Sequence, residues 1–196
     1  MAKLTTAWFS RRAKDNFEKF LKPLADQPVT YIEIGVFEGA SATWICENVL
    51  THPDSRGYGI DPWPPTRKRT EEQMDEIHKR AIENLEPYAK KFELIKSSST
   101  DVLRSNRFKP NSADVIYIDG MHFAPNVMTD AVQAFIILKV GGIMIFDDYS
   151  ADIGKHGILC VKPAVDAFIL TYNRFVEILG TSTHQKILRK TKELPC

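Results

Sequence analysis

Short apolar runs alternate with amphipathic stretches along this chain. Val29–Ile34 is apolar and rich in β-branched residues, bounded by Pro28 and Gly35, which predicts a buried strand. Gly57–Ile60, Phe92–Ile95, Val115–Ile118 and Ile143–Phe146 repeat that pattern. Between them the spacing predicts helices over 40–50, from Thr70 to about Glu86, around 101–104, and from Pro125 to Leu138, with another over 163–170. Thr70 followed by Gln73 reads as a capping box, and Pro125 suits a first helical turn. Capping by Ser99 or Thr100 is expected for the short helix. Trp8, Phe9, Phe17, Phe20 and Leu21 give 8–22 one apolar side, so a single N-terminal helix is expected there. Phe175–Leu179 and Gln185–Leu188 flank a Gly-Thr-Ser-Thr turn and predict a closing antiparallel hairpin.

Strand–helix alternation with continuous apolar strands implies an α/β fold: a mostly parallel sheet with helices on both faces. The division expected is an N-terminal helical extension over 1–28 and one α/β domain over 29–196. With 196 residues, 43% of them apolar, the chain suffices for one sizeable core. A formal charge of +1 supplies no global field for nucleic acid, so no nucleic-acid partner is expected. Arg67, Lys68 and Arg69 form only a short basic stretch. The three cysteines, Cys46, Cys160 and Cys196, lack Cys-x-x-Cys spacing, which argues against a disulfide framework or structural zinc. Cys46 reads as core. No run is long enough for a membrane span, and the first residues lack a signal-peptide core, so the expected location is cytoplasmic.

In such a sheet, ligands bind beyond the carboxyl ends of the strands, near the point where strand order reverses. After the first strand comes Glu33-Ile34-Gly35-Val36-Phe37-Glu38-Gly39-Ala40-Ser41. Gly35 and Gly39 permit a sharp turn and close approach to a ligand. The helix start behind them offers free N–H groups to a carboxylate. Glu33 would repel a pyrophosphate but suits an ammonium group, which argues against a nicotinamide dinucleotide. Asp61, ending the second strand, is placed either to accept from ribose hydroxyls or to act as a turn acid before Pro62. Ser98 and Ser99 follow the third strand, where they serve an adenine edge, with helix capping by Ser99 or Thr100 as the competing reading. Trp63 either stacks on a base or packs within the proline-rich loop. Asp119 ends the fourth strand, and Asp147-Asp148 ends the fifth. If those strands are neighbours, the three carboxylates can share a divalent cation, with Mg²⁺, Mn²⁺ or Ca²⁺ favoured over zinc. Such an ion lowers the pKa of a bound hydroxyl, and His122, three residues past Asp119, is placed to take its proton. The competing reading makes these acids loop caps and His122 a surface residue. His52, His78, His156 and His184 read as surface or loop residues.

The succession of Glu33-Ile34-Gly35-Val36-Phe37-Glu38-Gly39-Ala40-Ser41, Gly59-Ile60-Asp61, Tyr117-Ile118-Asp119-Gly120-Met121-His122 and Leu138 through Tyr149 resembles the class I S-adenosylmethionine-dependent methyltransferases. Within them it looks closest to the branch of macrocin, macrolide-sugar and rhamnosyl O-methyltransferases, whose metal site is similar to that of catechol O-methyltransferase. The resemblance implies a Rossmann-like sheet of seven strands ending in the hairpin. It implies S-adenosylmethionine as cofactor, bordered by Glu33, Gly35, Phe37, Gly39, Ser41, Asp61, Trp63, Ser98, Ser99 and Asp119. It also implies Mg²⁺ on Asp119, Asp147 and Asp148, with His122 and Asp119 catalytic. Met121 departs from the pattern, which often carries an acid there.

The expected function is therefore a divalent-metal-assisted O-methyltransferase acting on a hydroxyl of a sugar, glycoside or other small molecule. A metal-independent small-molecule methyltransferase and a non-catalytic cofactor-binding module are the alternatives. A homo-oligomer is compatible with the sequence. The 61–70 loop and the Tyr149–Val161 segment are the expected substrate walls, with Tyr149, Trp63 and Phe123 offering aromatic surface.

Overall fold

The computed structural model describes residues 2–150 and 160–195. Its strands are β1 (Thr30–Ile34), β2 (Arg56–Ile60), β3 (Phe92–Ile95), β4 (Ala113–Ile118), β5 (Leu138–Phe146), β6 (Val176–Thr181) and β7 (Lys186–Lys190). They form one seven-stranded sheet in the order β3-β2-β1-β4-β5-β7-β6. The first five are parallel. β7 runs antiparallel to both β5 and β6, so the expected hairpin closes the sheet. Strand order reverses between β1 and β4, which puts the ligand-binding crevice of an open α/β sheet at their carboxyl ends.

The described helices are α1 (Trp8–Arg12), α2 (Lys14–Phe20), α3 (Ala40–Asn48), α4 (Glu71–Leu85), α5 (Ser99–Arg104), α6 (Ala124–Ile137) and α7 (Val161–Thr171). Side chains alternate across a strand, and the two faces carry separate cores. Tyr31, Val115, Tyr117, Ile143, Ile145 and Ile187 pack with Phe17, Trp44, Ile45 and Ile77. Ile32, Ile116, Met144, Phe146 and Leu188 pack with Val127, Phe135, Val165 and Phe168. The capping box of α4 is present: Gln73 N donates to Thr70 Oγ1 (3.4 Å), and Thr70 N donates to Gln73 Oε1 (2.9 Å). No described helix is long and apolar enough to cross a membrane.

The structure corrects several expected boundaries. The N-terminal helix over 8–22 is instead α1, α2 and a 3₁₀ turn, Lys22–Leu24. Pro23 lacks the N–H and has the ring that ends a regular helix. The residues driven inward are Ala13, Phe17 and Leu21, spaced at one turn, while Trp8 stays exposed. These side chains share the core of the sheet, and Phe17 meets Tyr117 edge-on at 5.0 Å. The strand expected over 143–146 begins at Leu138 and carries a register shift against β4. Gly141, at φ +86°, supplies the backbone that this irregularity needs. Ser98, rather than Ser99 or Thr100, caps α5 by accepting from Asp101 N at 3.1 Å.

One buried cation ties the hairpin to the sheet. Lys190 Nζ donates to Leu138 O (2.7 Å), Phe135 O (3.1 Å) and Asn111 Oδ1 (2.8 Å). Two of these acceptors are carbonyls at the end of α6, where a positive charge also meets the helix dipole. Replacing Lys190 with Met should leave all three without a partner and cost about 2–3 kcal/mol. Urea unfolding of the two proteins measures it; a loss under about 0.5 kcal/mol would show that water replaces the ammonium.

Candidate active site

The glycine turn after β1 is built against the end of β4. Gly35 has φ +89°, and a Cβ added there would lie 2.1 Å from Asp119 O. Asp119 N in turn donates to Ile34 O at 2.8 Å, so the two strand ends touch through their backbones. Gly39, at φ +83°, is the residue before α3. Asp61 fastens this turn from β2. Its Oδ2 accepts from Val36 N (2.9 Å) and Phe37 N (3.0 Å), and its Oδ1 accepts from Trp63 N (2.7 Å). Of the two roles expected for Asp61, the turn acid is the one occupied; a carboxylate keeps further lone pairs beyond these bonds.

Trp63 packs inside its loop and presents no free face. Only 3% of it is exposed, its indole N–H donates to Phe37 O at 2.9 Å, and its ring lies 4.2 Å from that of His78. Of the two roles expected for Trp63, packing within the loop is the one the structure shows, with His78 as its ring partner. Phe37 is covered by the Trp8 ring at 5.2 Å and the Arg69 guanidinium at 5.0 Å. Glu33 is fully buried; its Oε2 accepts from Tyr31 Oη at 2.9 Å, and its Oε1 accepts from Ser41 Oγ. Burial pushes its carboxyl up to about 8, against the pull of those two hydroxyls. It therefore sits beneath the turn, and Ser41 is spent on it.

Ser98 Oγ lies at 2.6 Å from Asp101 Oδ2, and Ser99 Oγ donates to Asp130 Oδ1 at 2.6 Å. Asp130, on α6, is a buried acid the sequence reading passed over. Burial raises its carboxyl to about 6, partly offset by Ser99. The folded state thus holds this proton more tightly than the unfolded chain does. Stability from this group is greatest below about pH 4 and falls as pH rises toward 6. Asp130→Asn should accordingly be more stable than the parent at pH 7 by about 1–2 kcal/mol, with the gap closing near pH 4. Equal pH dependence in thermal melts would contradict this.

The acids at the ends of β4 and β5 converge as neighbouring strands require, but not as the expected trio. One ligand atom each from Asp119, His122 and Asp148 lie within 4.8 Å of one another. His122 Nε2 is 3.4 Å from Asp119 Oδ1, and its Nδ1 is 3.2 Å from Asp148 Oδ2. Asp147 is diverted: Tyr117 Oη donates to its Oδ2 and also lies 3.2 Å from Asp119 Oδ2. The cause is alternation, since Tyr117, Asp119 and Asp147 share one sheet face. Asp148 leaves the strand at φ +49° and turns toward the imidazole. Of the expected trio, Asp119 and Asp148 stand together beside His122, while Asp147 is turned to Tyr117.

Burial raises Asp119, countered chiefly by His122. Burial and then the charge of Asp119 push Asp147 up to about 8. For His122, burial acts downward, but the hydrogen bond and charge of Asp119, then the charges of Asp148 and Asp147, lift it to about 9. At neutral pH this arrangement holds an imidazolium between two carboxyl groups.

Met121 and Phe123, the sequence neighbours of His122, are exposed. Tyr149, expected as open aromatic surface, is buried: its Oη donates to Asp166 Oδ1 at 2.6 Å, and Lys162 and Lys186 lie over its ring. Residues 151–159 of the expected substrate wall, including His156, lie outside the described residues, as does Cys196. A cleft of about 480 Å³ opens between Thr5, Phe37, Glu38, Arg69 and α4, and the acid cluster is not part of its lining. Tyr31 and Tyr117 were missed as site residues. Each stands two positions before an acid on the same strand, a spacing that places both side chains on one face.

Residues 32–149, more than half the chain, match the family model of a methyltransferase domain. The chain belongs to this methyltransferase family. An uncharacterized protein of Acanthamoeba polyphaga mimivirus is 28% identical over 126 residues, covering 62% of this methyltransferase and 52% of that protein. The match thus spans about half the relative's length. Among solved structures, a Klebsiella pneumoniae protein assigned as an O-methyltransferase superposes with a TM-score of 0.67 at 18% identity, covering 90% of this chain and 80% of that one. A Streptococcus mutans protein assigned as a methyltransferase, in complex with S-adenosylhomocysteine, gives 0.65 at 14% identity, covering 91% and 98%. At such identities the likeness is one of fold. The methyltransferase part of the expected enzyme class is borne out by the family.

Gly35→Ala forces both a left-handed backbone and a clash with backbone atoms, so it should cost about 2 kcal/mol or more and lower Tm by at least about 4 °C. A variant with parental Tm would show that the β1 and β4 ends separate freely.

Proposed function

We propose that this methyltransferase moves the methyl group of S-adenosylmethionine to a hydroxyl of a small molecule, such as a sugar or glycoside, with help from a divalent cation. The carrying observation is the convergence of Asp119, His122 and Asp148 beyond β4 and β5. Two carboxylates offer the hard oxygen donors that Mg²⁺ or Mn²⁺ takes, and the imidazole beside them is left to act as a base. Asp119 and Asp148 would hold the ion. When bound, it supplies the positive charge that lowers the pKa of an acceptor hydroxyl.

The donor side rests on the turn after β1. Gly35 closes the turn against Asp119, and the start of α3 behind Gly39 offers N–H groups to the donor's carboxylate. Asp61, while bracing Val36 and Phe37, retains lone pairs for ribose hydroxyls. Glu33 and Ser41 support that turn from below, as Trp63 supports it from the side. Ser98 and Ser99 stand at the adenine end. On the acceptor side, His122 takes the hydroxyl proton. Neutralising Asp119 and Asp148 lowers the affinity of His122 for its resting proton and frees it for this role. The sulfonium is a good leaving group, so orientation of the two substrates supplies most of the acceleration.

A second reading dispenses with the ion. The imidazolium of His122 already bridges Asp119 and Asp148, and those acids would then orient the acceptor directly.

One experiment separates the two. Release of S-adenosylhomocysteine is followed with methyl α-L-rhamnopyranoside and catechol as probe acceptors. Under the metal reading, EDTA abolishes turnover and Mg²⁺ restores it, and His122→Ala lowers kcat by about a hundredfold or more. Full turnover in metal-stripped enzyme would remove the ion and leave the second reading, and an unchanged kcat would remove His122 as the base.

A further inference from the structure

The antiparallel hairpin brings the start of β7, rather than its end, to the carboxyl edge of the sheet. Lys186 pairs with Phe146 and Ile187 with Ile145. One step further, Gln185 stands opposite Asp147. Tyr117, Ile145 and Ile187 share one core, so Asp119, Asp147 and Gln185, each two positions beyond them, lie along that same face.

Gln185 is 0% exposed. Asn16, from α2, donates to its Oε1 at 2.9 Å, which fixes the carboxamide. Its Nε2 is buried and has no hydrogen-bond partner among the described residues; the same holds for Nδ1 of the adjacent His184. The backbone there is firmly held. Gln185 N donates to Ser182 Oγ (2.9 Å), Ser182 N donates to Gln185 O (2.8 Å), and Tyr149 N donates to His184 O (2.9 Å). The turn is therefore stitched to the chain that leaves Asp148. An amide nitrogen carries two donors, and leaving them unmet in a buried place costs about 1–3 kcal/mol. Folded proteins tolerate such a group chiefly where a ligand or an ordered water completes it.

Position decides which ligand. The donor turn belongs to β1, the acids to β4 and β5, and Gln185 to β7, two strand spacings or about 10 Å from β4 on the side away from β1. A molecule reaching Gln185 from the acid cluster extends away from the methyl donor. We propose that Gln185 is a specificity residue for the acceptor, its Nε2 donating to a second, uncharged oxygen of that molecule. The acceptor class is then polyoxygenated, with a hydroxyl, ether or carbonyl oxygen on the β7 side of the methylated group. This rests on the reading above that the acids at β4 and β5 receive the acceptor.

The test uses Gln185→Met and the parent enzyme. With a probe that is methylated, the variant should raise the acceptor KM about tenfold while the S-adenosylmethionine KM stays within twofold; Tm should change little, because removal of the unmet buried donor offsets the lost bond from Asn16. A purely structural glutamine, or one completed by water alone, predicts an unchanged acceptor KM, and that result overturns the proposal. Should the variant fail to fold, the parent is still informative. The chain has four glutamines, so the Gln185 side-chain NH₂ pair is separable in a glutamine-labelled ¹⁵N spectrum, assigned with Gln185→Glu. Methyl α-L-rhamnopyranoside or catechol, added with S-adenosylhomocysteine, should shift that pair together with the backbone amides of 119–123. Shifts at 119–123 without Gln185 overturn the inference. A joint shift with no methylation sustains it and defeats the proposed reaction, and no shift from either probe counts against both.

Discussion

The contact on which the rest of the structure depends is the one between Gly35 and Asp119. Parallel strands lie about 4.8 Å apart, and beyond their last paired residues β1 and β4 come closer than any side chain at position 35 would allow. That closure sits where strand order reverses, so it forms the floor of the crevice. It also fixes what stands on either side. The turn of 35–39 leaves toward β2, where Asp61 clasps two of its amides. Asp119 leaves toward β5, where it meets His122 and shares Tyr117 with Asp147.

Much of this was legible in the sequence, and the rest was hidden for identifiable reasons. Continuous apolar strands between amphipathic helices gave the sheet, and the Phe175–Leu188 stretch gave its antiparallel close. Strand-end acids are visible because the fold rule says where to look for them. What periodicity cannot show is how a polar group is spent. Asp61, Ser41 and Trp63 all occupy places where a ligand could be met, yet each is bonded to a residue well away in the chain. Those partners lie up to tens of residues away, and only three-dimensional packing chooses among them. The helix break near Ala13 is similar: the choice of Phe17 and Leu21 over Trp8 as inward residues was made by Tyr117 and its neighbours, far along the chain.

Alternation within single strands explains why the site is so heavily charged beneath its surface. Tyr31 and Glu33 share a face of β1, and Tyr117 and Asp119 share the same face of β4. Each tyrosine hydroxyl rises out of the apolar core to meet a carboxylate, so the transition from core to site takes one residue step. The hydroxyls relieve part of the desolvation, but Glu33 and Asp147 are still driven up to about 8. A fold optimised for stability alone would not bury these groups so close together; buried acids with displaced proton affinities are a mark of sites built for chemistry.

The same electrostatics narrows what the acid cluster requires. Asp119 and Asp147 are joined through one phenol, and Asp148 is within reach of the same imidazole. Like charges this close cannot all ionise without a counter-charge. In the described structure His122 provides it, which is why its proton is held so firmly. A divalent ion would provide more charge from the same place and release the imidazole to act on a substrate. The metal-assisted and metal-free readings therefore share one demand, a cation among these carboxylates, and differ only in whether that cation is the ion or the protonated histidine.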